Sequence, residues 1–236
     1  MKTKKSRNIL LALVLGVVVV LAVVFVGAAA QKTRLDEADA PAASAASAEP
    51  AAALNLEHRT ANDPVAMGAV DAPVVMIEYS DYRCPFCGVY ARKTQPEIIK
   101  KYVDTGQLRI EWRDLPVLGG TSMNAAVAAR AAGEQGLFWQ FNEAVYAAAP
   151  EKGKADLSEQ ALLGFAQQIG IPDMAKFTVD MNSPELTAKV QADLSEGSQL
   201  GVNSTPTFVI NNEAIPGAQP MEIFSQVIDA ALAQAK

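Results

Sequence analysis

The feature that most constrains the fold of this chain is a pair of cysteines, Cys84 and Cys87, that closely follows an apolar run. Residues 74–79 of that run are rich in β-branched side chains and predict a buried strand. Pro85 suits the first turn of a helix, so Cys84 is expected at a helix N-terminus. Cys87 follows one turn later, on the same side of the helix and deeper in the protein. The sequence therefore predicts a strand and a helix in contact around two sulfurs.

The position of Cys84 predicts a reactive thiolate. Unpaired backbone N–H groups and the helix dipole at a helix N-terminus can lower a cysteine pKa from about 8.5 to between about 3.5 and 7.5. Cys84 would then be the attacking sulfur and Cys87 the resolving sulfur of a redox disulfide.

Three other interpretations of the pair remain open. A zinc site usually needs four ligands, and the single histidine of the chain, His58, lies far upstream, so no metal site is expected. A structural disulfide would close a loop too short to restrict the unfolded chain much. Inert buried thiols would not need the proline between them. The redox pair is the favoured interpretation.

The first 30 residues predict a membrane anchor. Residues 1–8 carry four basic side chains, and residues 9–30 contain no charge over a length of about 33 Å as a helix. The basic leader is expected in the cytoplasm and the rest of the chain outside the cell membrane, in a single-pass arrangement. A cleaved signal peptide, which would give a secreted or periplasmic protein, is the alternative because alanines occupy positions 28–30. A retained anchor is favoured because signal h-regions usually have only about 7 to 15 residues.

Residues 31–57 predict a disordered, flexible linker. They are rich in Ala, Ser, Pro and acidic residues, with no amphipathic period. An Ala-rich helix is the alternative, but Pro41 and Pro50 disfavour it.

Residues 58–236 are numerous enough for one domain with a full core. They carry 14 Lys and Arg against 21 Asp and Glu, a formal charge of −7. An acidic domain without a basic patch is poorly suited to nucleic acid, so no nucleic-acid partner is expected. The lack of a third cysteine suits an oxidising compartment, where one reactive pair then has nothing to mispair with.

The rest of the domain predicts an α/β fold, in which helices cover both faces of a sheet. Residues 107–112 alternate as a second strand, and the helix from Pro85 is expected to bend at Pro96 and stop near Gly106. A helical insertion then occupies about 114–200, before a hairpin around Asn211 and Asn212. Its helices are predicted at 123–132, 137–149, 158–169 and 184–200. A last helix, opened by Pro220, has an apolar face of Ile223, Phe224, Val227, Ile228 and Leu232.

Two segments carry a family resemblance. Residues 75–87 read VMIEYSDYRCPFC, and residues 201–211 read GVNSTPTFVIN. Together they resemble the DsbA-like thiol:disulfide oxidoreductases of the thioredoxin superfamily, over nearly all of residues 58–236. The resemblance implies a thioredoxin-like fold with an inserted helical domain, here preceded by the predicted transmembrane helix and linker.

The resemblance also implies roles for residues outside the cysteine pair. Thr205 and Pro206 match a cis-proline loop that faces the cysteines and leaves backbone free to pair with an extended substrate. Glu78 matches a buried acid beneath the resolving cysteine; it should titrate high and exchange a proton with Cys87. Phe86 stands where a histidine often lies, and its lack of charge predicts a less extreme oxidant.

The expected activity is disulfide formation in exported polypeptides by thiol–disulfide exchange. The substrates would be unfolded exported chains with free thiols, and the resemblance implies reoxidation by a quinone-linked integral membrane partner. No metal, nucleotide or flavin motif is apparent, so no cofactor is expected. One alternative is a reductase or isomerase of exported proteins or for cytochrome maturation. The redox potential of the pair sets the direction of exchange, and a difference of about 30 mV, which a motif does not resolve, already corresponds to about 1.4 kcal/mol. Another is a chaperone-like peptide-binding module with vestigial cysteines.

Overall fold

The chain is seen in a computed structural model that describes residues 55–235. The predicted basic leader (1–8), the predicted membrane anchor (9–30) and residues 31–54 of the predicted linker lie outside the described residues. Within the described part, no helix combines the length and apolar character needed to cross a membrane.

A five-stranded sheet in the order β1-β3-β2-β4-β5 forms the centre of the fold. Its strands are β1 (Ala66–Met67), β2 (Val74–Ser80), β3 (Leu108–Asp114), β4 (Thr207–Ile210) and β5 (Glu213–Pro216). β2 and β3 run parallel, with Val74 opposite Leu108, whereas the other pairs are antiparallel. β2 is the central strand and all seven of its residues are buried, which explains why its apolar run does not alternate.

The chain leaves β2 through the turn that carries Cys84 and enters α1 (Pro85–Lys93). A short helix α2 (Gln95–Ile98) and a π-helical segment (Ile99–Val103) follow. The predicted bend at Pro96 is therefore a break at Thr94, because Pro96 has no N–H to donate to the Arg92 carbonyl four residues earlier. Against the opposite face of the sheet lies a smaller apolar cluster of Val75, Ile77, Tyr79 and Leu115.

The helical insertion follows β3 and contains five helices. They are α3 (Gly120–Gly133), α4 (Phe138–Ala148), α5 (Glu159–Gln168), α6 (Met174–Asp180) and α7 (Pro184–Gln199). Four lie close to the predicted positions, whereas α6 and the two-residue strand β1 were not predicted. α6 has only seven residues, and the Asp173 side chain caps it by accepting the Lys176 N–H. Elements this short contain too few residues to show a period.

The hairpin and the last helix complete the domain. Asn211 and Asn212 turn the chain with φ of 48° and 65°, a backbone region that asparagine tolerates better than most residues. α8 (Met221–Gln234) begins directly after Pro220. Phe224, Val227 and Ile228 are buried as predicted, but Ile223 is 40% exposed, because it lies at the margin of the apolar stripe.

A buried charged cluster joins the insertion to the sheet at the end of β3. Arg130 on α3 donates to Asp114 through Nε at 2.6 Å and to Asp193 on α7 through Nη2. Asp193 also accepts the backbone N–H of Asp114 at 2.9 Å. Burial raises the pKa of Asp193 to about 7, against the opposing effect of Arg130. The end of β3 is thus linked by side chains to both long helices of the insertion.

The domain begins earlier than residue 58. Leu56 packs against the apolar cluster that contains Val75 and Ile77, and its carbonyl accepts Arg113 Nη2 at 3.0 Å. The backbone N–H groups of His58 and Arg59 both donate to the buried Glu111 carboxylate. Residues 55–57, placed in the linker from their composition, therefore contribute to the folded domain.

Candidate active site

Cys84 occupies the N-terminal cap of α1, as the sequence predicts. The turn before it is held by its own N–H, which donates to the Asp81 carbonyl at 3.0 Å. The side chain is 6% exposed, whereas Cys87, one turn into the helix, is 1% exposed. Both sulfurs are free thiols, and Cys84 Sγ donates to the Thr205 carbonyl oxygen at 3.2 Å. The structure therefore brings the cysteine pair and the distant Thr205 together.

The pKa of Cys84 is lowered to about 6. The largest cause is a hydrogen bond from the Cys87 thiol; burial opposes it, and smaller contributions come from the Thr205 side chain and from the N–H groups of Cys87 and Phe86. The expected low pKa of Cys84 is present. Its largest cause is the hydrogen bond from the Cys87 thiol, and the backbone N–H groups of the helix N-terminus contribute less.

The pKa of Cys87 is raised well above its ordinary value. Burial is the largest cause, followed by the hydrogen bond to Cys84, while the Asp81 N–H and the Ser80 hydroxyl act in the opposite direction. At neutral pH the pair therefore holds one thiolate, on Cys84, and one thiol, on Cys87. This asymmetry suits an attacking and a resolving sulfur.

The Thr205–Pro206 peptide bond is cis, as the family resemblance implies. Pro206 is buried, and its carbonyl accepts the Gly217 N–H at 2.7 Å, which links the loop to the end of β5. Thr205 is only half-buried. The loop thus presents Thr205 beside Cys84 on the accessible side of the pair.

Glu78 lies on β2 and is 1% exposed. Burial raises its pKa from 4.5 to about 8, against a hydrogen bond from Ser80 that lowers it. Gln95 Nε2 contacts the carboxyl group at 3.4 Å. The expectation that Glu78 titrates high agrees with the structure, but the described residues show no hydrogen bond between Glu78 and Cys87. Ser80 acts to lower the pKa of both groups, against the larger effect of burial.

Ser80 is the site residue that sequence reasoning missed. Its position two residues after Glu78 places it on the same face of β2, so the strand period could have indicated it. Its hydroxyl lies 3.2 Å from the hydroxyl of Tyr146 on α4, and this partner had no local signal because 66 residues separate the two.

Exposed apolar side chains lie near the cysteine pair. Phe86, between the two cysteines, is 65% exposed, and Pro85 beside it is half-buried. The loop after β3 carries exposed Val117 and Leu118. Asp81 accepts the Leu118 N–H at 3.0 Å and Arg83 donates to the Leu118 carbonyl at 2.8 Å, so this loop is tied to the turn that precedes Cys84.

His58 is not among the residues around the cysteine pair. Its ring lies 3.6 Å from Glu196, which belongs to α7. Among residues 55–235, no cluster of three or more His, Cys, Asp or Glu side chains could hold a metal ion.

Comparisons with known proteins agree with this architecture. Residues 60–230 match the sequence family described as Thioredoxin. The probable disulfide bond formation protein D of Bacillus anthracis is 28% identical over 149 residues, 61% of this chain and 68% of that protein. The crystal structure of Wolbachia pipientis alpha-DsbA1 superposes with a TM-score of 0.63 at 25% identity, covering 72% of this chain and 92% of that one.

A different kind of relative is the Na(+)/H(+) antiporter NhaA 1 of Salinispora arenicola. It is 30% identical over 168 residues, which make up 70% of this chain and 24% of the antiporter. The chain therefore spans about a quarter of the length of this relative.

These matches confirm the predicted class of enzyme, an oxidoreductase, and the mixed α/β thioredoxin-like fold. Because the family match extends over most of the described residues, the chain belongs to the thioredoxin family.

Proposed function

We propose that this protein is a membrane-tethered, extracytoplasmic thiol:disulfide oxidoreductase that introduces disulfides into exported polypeptides. The observation that carries the proposal is the asymmetry of the pair, in which the pKa of Cys84 is about 6 and that of Cys87 lies well above its ordinary value. A thiol of low pKa is a good leaving group, so a mixed disulfide at Cys84 is readily exchanged.

The reaction begins with Cys84 and Cys87 joined as a disulfide. A substrate thiolate attacks Cys84 Sγ, the bond between the two enzyme sulfurs breaks, and Cys87 leaves with the electron pair and takes up a proton. The second substrate thiolate then attacks the substrate sulfur of the mixed disulfide and releases Cys84 as a thiolate. The substrate has been oxidised by two electrons, and the enzyme has been reduced by two.

The surroundings of Cys84 support an unfolded polypeptide as substrate. Phe86, Val117 and Leu118 offer exposed apolar surface for side chains that a folded protein would bury. Half-buried Thr205 lies next to the reacting sulfur, where an extended chain could pair with its backbone.

The location and the partner extend the same proposal. The basic leader and the uncharged run of residues 9–30 support an anchor with the catalytic domain outside the cytoplasm. The family resemblance supports reoxidation by a quinone-linked integral membrane protein. Deletion of residues 1–30 is expected to release the protein from the membrane fraction, and a chain that stays bound without them would contradict the tether.

The direction of exchange is tested by two measurements on the same chain. The equilibrium potential of the pair is measured against glutathione, and the redox state of Cys84 and Cys87 is measured in cells by thiol labelling. A pair that is mostly oxidised in cells agrees with a disulfide donor. A mostly reduced pair would instead identify a reductase or isomerase.

The role of the cysteines is tested by substitution. Cys84→Ser should abolish disulfide formation, whereas Cys87→Ser should accumulate a mixed disulfide between Cys84 and its substrates, because nothing resolves it. Full activity of Cys84→Ser in cells would identify a chaperone-like module instead.

A further inference from the structure

A groove between the cysteine-bearing helix and the helical insertion has no part in the exchange reaction described above. Its volume is about 990 Å³, and it lies where α1 and α2 face α4. Neither cysteine lines it, and neither does Thr205. Apolar side chains from β1, α1, the π-helical segment and α4 form much of its wall: Met67, Ala91, Ile99, Trp139 and Ala147. A cleft of this size is large enough to hold a ligand.

Trp139 lies at the joint between the two parts of the domain and lines the groove. Its ring packs against the apolar cluster of the insertion, which includes Phe138, and against the cluster of the sheet, which includes Phe208. The Nε1 atom is buried, yet among residues 55–235 this N–H has no hydrogen-bond partner. A buried donor without an acceptor is costly and uncommon in native proteins. A ligand carbonyl in the groove would supply the missing acceptor.

Two buried side-chain amides, those of Gln95 and Asn142, line the same groove. Asn142 is 1% exposed, and its Nδ2 donates to the Tyr82 hydroxyl at 3.2 Å. Gln95 is 6% exposed, and its Nε2 donates to the Glu78 carboxyl group at 3.4 Å. A side-chain amide has a second N–H and a carbonyl oxygen, and within the described residues neither of these is paired on Gln95 or Asn142. Each amide can therefore still donate one hydrogen bond and accept another.

The free groups of the groove match the backbone of a polypeptide. A peptide group offers one N–H and one C=O, so it can pair with a side-chain amide through both, and its oxygen suits Trp139 Nε1. A fatty carboxylate has no donor for the amide oxygens. Charge gives no preference for an ion, because two basic lining side chains are balanced by two acidic ones: Arg92, Lys100, Asp104 and Glu143. The ligand that fits is an uncharged, extended segment with apolar side chains.

We propose that this groove holds an apolar segment of the unfolded client polypeptide while a cysteine of the same client reacts at Cys84. This inference rests on the proposed function, because it gives the same substrate a second contact. An unfolded client exposes apolar side chains and unpaired backbone groups, which are the two features that the groove matches. Ala91 lies seven residues after Cys84, or about 10 Å along α1. An extended spacer of eight residues covers up to about 28 Å, so one chain can occupy both sites.

The test compares two reduced peptides that carry the same pair of cysteines. In the apolar peptide, a Gly- and Ser-rich spacer of eight residues joins the cysteines to a segment of Leu, Ala and Phe. In the polar peptide, Ser replaces every residue of that segment. Oxidised full-length protein is mixed with each peptide for a single turnover, and the peptide disulfide is measured by mass spectrometry after acid quenching.

The concentration that gives half the limiting rate reports binding, and the limiting rate reports the exchange step. With the wild type, the half-saturating concentration of the apolar peptide should be about 10-fold lower than that of the polar peptide, because a second contact on one chain adds affinity. The two limiting rates should agree within about 2-fold, because the groove does not touch the sulfurs.

Two neighbouring alanines supply a matched pair of variants. Ala147 lines the groove and Ala148 does not, although both are exposed in the last turn of α4. Ala147→Trp should fill the groove and abolish the preference for the apolar peptide, whereas Ala148→Trp should keep it. Since neither change enters the core, a folding defect does not explain a difference between them. A preference that survives in Ala147→Trp, or equal losses in the two variants, would overturn the proposal.

Trp139→Phe tests the hydrogen bond expected at Nε1, because it keeps an aromatic ring and removes the donor. The half-saturating concentration of the apolar peptide should rise about 3- to 10-fold, which is the range of one hydrogen bond. That of the polar peptide should change by less than about 2-fold. An unchanged value for the apolar peptide would contradict a backbone carbonyl at this position.

The same measurements separate this proposal from the proposed function. If the wild type oxidises neither peptide, the oxidoreductase itself is contradicted. If it oxidises both at equal half-saturating concentrations, only the groove is contradicted. A preference that appears only after deletion of residues 31–54 would show that the chain's own linker occupies the groove, and the proposal would be wrong.

Discussion

At the residue scale, the chemistry of this protein depends on how one sulfur is solvated by its neighbours. Cys84 is a better anion than an ordinary thiol mainly because the Cys87 thiol donates a hydrogen bond to it. Cys87 can donate because burial keeps it protonated. The two pKa shifts therefore have a common origin in the depth difference between the sulfurs.

Alkylation of Cys84 tests this origin directly. The rate constant for iodoacetamide with the reduced enzyme should follow a titration with a midpoint near the pKa of Cys84, about 6. Cys87→Ala removes the largest stabilising hydrogen bond and should move the midpoint upward. A wild-type midpoint in the usual range of free cysteines, or an unchanged midpoint in Cys87→Ala, would contradict this account.

Glu78 predicts a pH-dependent effect on stability. Its pKa is about 8 in the folded protein and 4.5 in the reference state, so between these values the unfolded chain has lost the proton that the native state keeps. The free energy of unfolding therefore falls as pH rises through this window and is unaffected by this group below it. Glu78→Gln stays neutral at every pH and avoids the loss.

Urea denaturation of Glu78→Gln and the wild type checks this expectation. The free energy of unfolding of the variant, relative to that of the wild type, should rise between pH 5 and pH 8.5 by on the order of a few kcal/mol. The difference between the two proteins cancels the other titrating groups. A difference that stays constant with pH would show that Glu78 is already ionised in the native protein.

At the scale of a single element, the first turn of α1 sets the redox character of the site. Its N–H groups contribute to the low pKa of Cys84, and its one exposed side chain between the cysteines is uncharged Phe86. The helix therefore stabilises the Cys84 thiolate through its backbone without help from a charged side chain at position 86.

Phe86→His should make the protein a stronger oxidant. A protonated imidazole beside the sulfurs favours the Cys84 thiolate and hence the reduced enzyme. The pKa of Cys84 should fall by up to about one unit, which corresponds to a potential higher by up to about 30 mV. The equilibrium with glutathione measures this shift, and Phe86→Leu serves as the uncharged control. An equal shift in both variants would assign the effect to packing.

At the scale of the whole molecule, the helical insertion is joined to the sheet through buried charges. Arg130 is 10% exposed and its partner Asp114 only 1%, so the cluster lies largely out of solvent. Removing one member of a buried ion pair leaves the other charge uncompensated.

Arg130→Met should therefore destabilise the fold by about 3–5 kcal/mol, measured by urea denaturation at neutral pH. Lys189→Met is the matched control, because it removes a pair between α7 and Glu134 whose side chains are 53% and 38% exposed. That pair is expected to contribute at most about 1 kcal/mol. Equal losses in the two variants would rule out a special role for the buried cluster.

Features encoded over a few neighbouring residues were predictable from this sequence. The apolar run before Cys84 is β2, Pro85 starts α1, and Asn211 with Asn212 turns the hairpin. These signals are local because strand composition, helix caps and turn residues act within a few positions of the chain. The short β1 and α6 escaped prediction because they depend on the elements that they pack against.

The sequence by itself determined which residues are candidates for the chemistry: two cysteines at a helix start, an acid in a central strand, and a distant Thr205–Pro206 dipeptide. Only the tertiary structure decided how they cooperate. It placed Thr205 at Cys84 across 121 positions and Tyr146 at Ser80 across 66. It also made the Cys87 hydrogen bond, more than the helix end, the main source of the low Cys84 pKa. The physical reason is that depth of burial and hydrogen-bond partners arise from packing between segments, which no local pattern encodes.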